Sequence, residues 1–264
     1  MVVDRKGRVH RPAGSPDSSG GEYAPRWASV ISDAIGVRLG KTPTEVTVWD
    51  RGTDRPARTE QRDVHIEGID TVEDAHQRAA LAASIHRGLA AYPPSYRSPV
   101  VEVSPELAAN MTNGDYDQTG IRIGTDRIRL STRLGADPAH AEQIVRHENA
   151  HRVRQVLKGL VHAREGRDAG YDWLAALDRA SLAWLADARR VAPDHPGLWY
   201  ADATERLRSR GVHGTGDPAD EAFADIVAYA ASGQPLPGDV SGVVAVMMRA
   251  DPNLVAVLGL SRVS

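Results

Sequence analysis

Residues 144–156 read Ile144-Val145-Arg146-His147-Glu148-Asn149-Ala150-His151-Arg152-Val153-Arg154-Gln155-Val156. The apolar residues flanking the centre recur at helical spacing, so the stretch predicts a helix with a buried stripe. Asp137-Pro138 supplies an N-cap and a proline for the first turn, and the expected helix runs to about Lys158 before Gly159. His147 and His151 stand four apart and share one helix face, where both imidazoles can reach one tetrahedral Zn²⁺. Glu148 lies beside them and is placed to take a proton from a metal-activated water and return it to a leaving amine. Without a metal, a His-Glu-His row inside an apolar helix is a costly buried polar cluster.

Hydrolytic zinc sites use three protein ligands and keep one position open. An immediate third ligand, as in H-E-x-x-H-x-x-G-x-x-H, is excluded because Arg154 and Leu157 occupy the Gly and final His positions. The next candidate is Glu221-Ala222-Phe223-Ala224-Asp225, in a helix expected to start at Asp217-Pro218 and to close at Gly233. Phe223, Ile226, Val227 and Ala230 give that helix a core face. Glu221 and Asp225 share another face, which suits one ligand carboxylate and one carboxylate holding the far nitrogen of a ligand His. The alternative is that both are solvated surface acids. His162, Glu165, His195 and Glu205 are weaker candidates for the third ligand.

Outward from these helices, residues 4–24 lack apolar anchors and read as a flexible arm, so 1–26 is set apart as an arm. Residues 27–70 are expected to form an N-terminal helix (Trp27 to about Leu39) and a β-hairpin subdomain (Glu45–Asp50 and Arg62–Glu67, joined by a turn-rich 51–58). Thr71 to Ala91 predicts a helix capped by Thr71, with a stripe of Ala75, Ala79, Ala82, Ile85 and Leu89. Strands are expected at 99–103, 121–123 and 127–131, with 110–119 as loop. From residue 137 onward the chain reads as helix almost throughout, giving an α+β order with an all-helical second half.

The pattern resembles the gluzincin branch of the zincin zinc metallopeptidases. The stretch DEAFADIVAYAASG (220–233) is similar to the third-ligand helices of lethal-factor-like bacterial zincins. The resemblance spans roughly 70–235. It implies an α+β zincin fold over 71–264, with a small mixed sheet, one Zn²⁺ held by His147, His151 and Glu221, Asp225 behind a ligand His, and Glu148 as general base. It implies hydrolysis of a peptide or protein substrate. The long gap between His151 and Glu221 departs from compact gluzincins and implies an inserted helical segment near 165–210. Zincins often hold the oxyanion with a Tyr or His near the third ligand; Tyr229 and His213 are the candidates, with Tyr200 more distant. They also hold extended peptides on an edge strand. Residues 127–131 are the expected edge, and Arg127 and Arg129 there hint at acidic substrates. Gly214-Thr215-Gly216-Asp217 resembles the aspzincin G-T-x-D motif, which leaves Asp217 as a rival third ligand. Two other readings stay open: an effector or toxin domain cutting one partner, and an inactive zincin-fold interaction module.

Composition narrows the classes. The 264 residues contain no cysteine, which excludes disulfides, a thiolate nucleophile and Cys-ligated metals. The 32 basic and 35 acidic residues give a net charge of -3, so nucleic acid is not an expected partner. The longest apolar run, Val243–Met248, is far short of the roughly 20 residues of a membrane span. Met1–His10 lacks the apolar core of a signal peptide, so a cytoplasmic protein, non-classical export or a piece of a longer chain is expected.

Overall fold

The computed structural model describes residues 2–3, 9–10, 42–49, 56–110, 112–121, 124–195, 198–209 and 216–260. The expected Trp27–Leu39 helix and nearly all of the arm lie outside these residues. Within the arm, β1 (Val2–Val3) and β2 (Val9–His10) pair antiparallel. An antiparallel hairpin follows, of β3 (Pro43–Trp49) and β4 (Pro56–Asp63). The return strand thus starts at Pro56, inside the stretch expected to be turn.

A four-stranded sheet forms the first layer, in the order β5 (His65–Glu67), β6 (Val100–Ser104), β8 (Arg127–Ser131), β7 (Gly114–Asp117). β5, β6 and β8 run parallel, and β7 runs antiparallel to β8. Three expectations are corrected here. Residues 114–117 are a strand, not loop, because Asp115 pairs with Arg129 and Tyr116 with Ile128 across the ladder. Residues 127–131 are therefore interior, with β7 as the edge. Ile121 sits in a turn rather than a strand, and 122–123 lie outside the described residues.

The helices are α1 (Ala75–Ala90), α2 (Pro105–Ala109), α3 (Pro138–Glu165), α4 (Arg167–Val191), α5 (Trp199–Ser209), α6 (Pro218–Ala231), α7 (Ser241–Ala250) and α8 (Pro252–Val257). Asp74, not Thr71, caps α1, accepting from the backbone of His76 and Gln77; the Thr71 hydroxyl instead donates to Gly68 O. The buried stripe of α1 is Leu81, Ile85 and Leu89 with Ala80 and Ala83, while Ala79 and Ala82 are only half-buried and Ala75 is exposed. α3 continues through Gly159 to Glu165, since Val161 is still fully buried two residues beyond that glycine.

α3 belongs to two cores. Its first half, Ala141 to Val145, packs with Leu81, Ile85 and Leu89 of α1 against Val101, Val103, Ile128 and Leu130 of the sheet. Its second half, Ala150 to Val161, packs with Trp173, Leu177 and Trp184 of α4 and Phe223, Ile226 and Val227 of α6. His147 and Glu148 fall at the seam between the cores. No helix among the described residues is long and apolar enough to cross a membrane.

α1 and α3 approach closely at Gly88, where a Cβ would stand 2.7 Å from Val145 Cγ1 and 2.8 Å from Val145 Cβ. Gly88→Leu should therefore overpack the helix pair and destabilise the fold by roughly 1–3 kcal/mol or more. Chemical denaturation measures this directly; an unchanged midpoint and slope would show that the helices tolerate separation at this point.

Candidate metal centre

α3 and α6 bring three ligand atoms together. His147 Nε2 lies 3.0 Å from Glu221 Oε2, and His151 Nε2 lies 3.8 Å from the same oxygen. One ligand atom from each of His147, His151 and Glu221 falls within 4.8 Å of the others, so the group can hold a metal ion. Tetrahedral ligands at 2.0–2.1 Å from a zinc ion are separated by about 3.3 Å. The two measured separations bracket that value.

The far nitrogens are held by carboxylates. His147 Nδ1 lies 3.1 Å from Asp225 Oδ1, somewhat off the line of a well-formed hydrogen bond. Asp225 is buried and its other oxygen accepts from Ala201 N at 3.3 Å. His151 Nδ1 lies 3.1 Å from Asp220 Oδ1. With Nδ1 of each ring turned to an acid, Nε2 of each is left for the shared point. The Asp225 partnership follows the sequence expectation. The Asp220 partnership does not, because its neighbour is settled only by the packing of α6 on α3.

The opposite side of α3 is pinned by the two residues that the His spacing leaves undefined or flanking. Asn149 Oδ1 accepts from Ser98 N at 2.9 Å, and its Nδ2 donates to Tyr96 O at 3.1 Å. Arg152 donates to Arg97 O at 2.9 Å and to Asp126 Oδ2 at 3.1 Å. Both side chains are buried. The Tyr116 hydroxyl of β7 donates to the same Asp126 oxygen at 2.9 Å, tying the edge strand to the helix.

Glu148 is buried at 6 % exposure and lies on the wall of an open cleft of about 720 Å³. The cleft also presents His147, His151, Glu221, Tyr116 and Tyr200. β7 passes so near that a Cβ on Gly114 would stand 3.3 Å from Glu148 Cγ and 2.7 Å from Ile144 Cγ2. Burial raises the Glu148 carboxyl above its usual range, against the pull of the two imidazoles. Burial opposes charge on His147, but contact with Asp225 and Glu221 outweighs it and lifts the imidazole well above its usual value. His151 is raised too, with burial again opposing and Asp220 prevailing. The surround thus favours positive charge at the imidazoles, which a bound proton or a divalent cation can supply.

Several other sequence candidates lie off the cleft. Tyr229 is not on the cleft wall; its ring lies 5.4 Å from that of His195. His213 lies outside the described residues. Tyr200 does reach the site, with its ring 4.1 Å from that of His147. Asp217 caps α6, its Oδ1 accepting from Ala219 N at 3.0 Å, and is not in the ligand group. Glu165 pairs with Arg249 and Glu205 with Arg189, and neither they nor His162 and His195 join the group. Arg127 is paired with Glu102 and Glu67, and Arg129 with Asp115. These ion pairs remove the basis for expecting acidic substrates.

Comparison of the chain with protein-family profiles, with curated proteins and with solved structures finds no match.

The geometry separates the rival third ligands. Glu221→Ala should abolish metal retention through dialysis, as read by elemental analysis. Asp217→Ala should keep the metal and lose about 1 kcal/mol of stability as a missing cap. Asp225→Ala should weaken metal binding by roughly 10–100-fold. Metal loss in the Asp217 variant with retention in the Glu221 variant would transfer the ligand to Asp217.

Proposed function

We propose that this chain is a zincin-type zinc metallopeptidase, with Zn²⁺ held by His147, His151 and Glu221. The observation that carries the reading is the meeting of His147 Nε2, His151 Nε2 and Glu221 Oε2 at one point beside the buried Glu148. When bound, zinc polarises the scissile carbonyl and makes a water nucleophilic near neutral pH.

The chain's own groups do the rest. Glu148 accepts the proton of the attacking water and delivers it to the departing nitrogen. Its raised proton affinity suits both halves of that task, because an ordinary carboxylate releases a proton readily but captures one poorly near neutral pH. Asp225 and Asp220 hold the two imidazoles by Nδ1 and keep Nε2 aimed at the metal. β7, as the antiparallel edge beside Glu148, offers unpaired backbone groups to an extended peptide. Tyr200, whose ring lies 4.1 Å from that of His147 on the cleft wall, is preferred to Tyr229 as the side chain to steady a developing oxyanion.

Protein purified without added metal should contain about one zinc per chain and should cleave peptides. Glu148→Gln should keep the zinc and lower cleavage by roughly two to four powers of ten. Protein that binds no zinc even when it is supplied would refute the reading. A Glu148→Gln variant with full activity would refute the mechanism. Zinc retention with no cleavage of a broad peptide library would favour a binding module.

The oxyanion assignment has its own test. Tyr200→Phe should lower kcat by roughly 10²–10³-fold with zinc content intact, whereas Tyr229→Phe should leave kcat near that of the parent. The reverse ranking would return the role to Tyr229.

A further inference from the structure

Arg154 lies one turn beyond His151 on α3, and its side chain is 8 % exposed. Its Nη2 donates to Asp178 Oδ1 of α4, and its Nη1 lies 3.4 Å from Asp220 Oδ2 of α6. The other oxygen of Asp220 is the one that meets His151 Nδ1 at 3.1 Å. Four side chains from three helices thus form a continuous line: Asp178, Arg154, Asp220, His151. The Arg154 Nε–H is buried with no acceptor among the described residues. Burying a guanidinium with one donor unmet is a poor way to stabilise a helix interface, where apolar packing of similar volume does at least as well. What the arrangement does achieve is to fix both oxygens of Asp220, one on a cation and one on the imidazole.

Resting on the reading of His151 as a metal ligand, we infer that Arg154 and Asp178 are positioning residues that set the affinity of the metal centre through Asp220. Asp220 has one oxygen beside the Arg154 guanidinium and the other on the His151 ring, so its carboxylate is hindered from rotating away from that ring. His151 then keeps Nδ1 as the donor to Asp220 and presents Nε2 to the cation without paying orientational entropy on binding. Arg154 lines the cleft, yet its charge is committed to two aspartates. It therefore serves the ligand rather than a substrate carboxylate. The line also ties the site to α4, a helix that lies between the two ligand-bearing helices in the chain and supplies no ligand itself.

The test is a double-mutant cycle on zinc affinity, measured by competition with a chromophoric chelator, with no activity required. Asp220→Asn should weaken zinc binding by roughly 10–100-fold. Arg154→Gln should weaken it by about 5-fold or more, the scale of coupling between contacting residues. The double variant should bind within about twofold of Asp220→Asn alone, because Arg154 acts only through Asp220. Arg154→Lys should recover part of the loss, having the charge but not the fork. Should Arg154→Gln fail to fold, as judged by circular dichroism, Asp178→Asn takes its place in the same cycle, since Asp178 is partly exposed. Parent-like zinc affinity in a folded Arg154→Gln or Asp178→Asn variant would overturn the inference alone, as would losses that multiply in the double variant. A parent protein that binds no zinc would overturn the metal reading and this inference together.

Discussion

The rotation of α3 about its own axis decides what His147 and His151 face, since each residue step turns the helix by about 100°. A slip of one position would aim the imidazoles into a core and Glu148 at Glu221. Apolar packing opposes this, because Ile144 and Val145 at one end and Val153, Leu157 and Val161 at the other are fully buried in the two cores. Hydrogen bonds oppose it too. Asn149 takes one from Ser98 N and gives one to Tyr96 O, and Arg152 reaches Arg97 O and Asp126. Leaving any of these buried groups unpaired costs about 1–3 kcal/mol each, so the helix has one favourable angle.

The second constraint is charge. Glu148, Asp220, Glu221 and Asp225 surround two imidazoles in a region of low exposure. Four carboxylates so close repel one another strongly when water is excluded. Arg154 balances part of that charge, and a cation at the shared point balances more. Metal binding and folding should therefore be coupled, as anything that binds only the folded state stabilises it.

The meeting of His147 and His151 on one face was legible in the sequence because the i, i+4 spacing is itself the geometry of the candidate site. Glu221 and Asp225 were legible for the same reason, one turn apart on a helix whose apolar face is unambiguous. β7 was not. Gly114-Asp115-Tyr116-Asp117 lacks the apolar alternation of a strand, and it is held by pairing with β8 and by the Tyr116–Asp126 and Asp115–Arg129 contacts. An edge strand with one neighbour needs little hydrophobic pattern, so local reading misses it. The place of Tyr200 against His147 was hidden for a similar reason, since it depends on how α5 packs. Tyr229 is near Glu221 in sequence, but the helix turns it toward His195. Asp220 and Arg154 were passed over because their roles arise only when α3, α4 and α6 pack.

The long gap between His151 and Glu221 reads in sequence as an insertion, and an insertion invites the view that it is a spacer. Its contacts argue otherwise. α4 supplies Asp178 to Arg154, which stands behind Asp220 and His151. α5 supplies Tyr200 against the ring of His147 and the Ala201 N–H to Asp225, which stands behind His147. His147 and His151 are thus each backed by a carboxylate of α6, and each of those carboxylates is steadied by the segment between His151 and Glu221. Shortening that segment would leave His147, His151 and Glu221 in the chain and remove what orients the two imidazoles. The sequence distance is therefore part of the site's construction: α4 and α5 pack back against the helices that carry the candidate group, and α5 shares the wall of the cleft with β7.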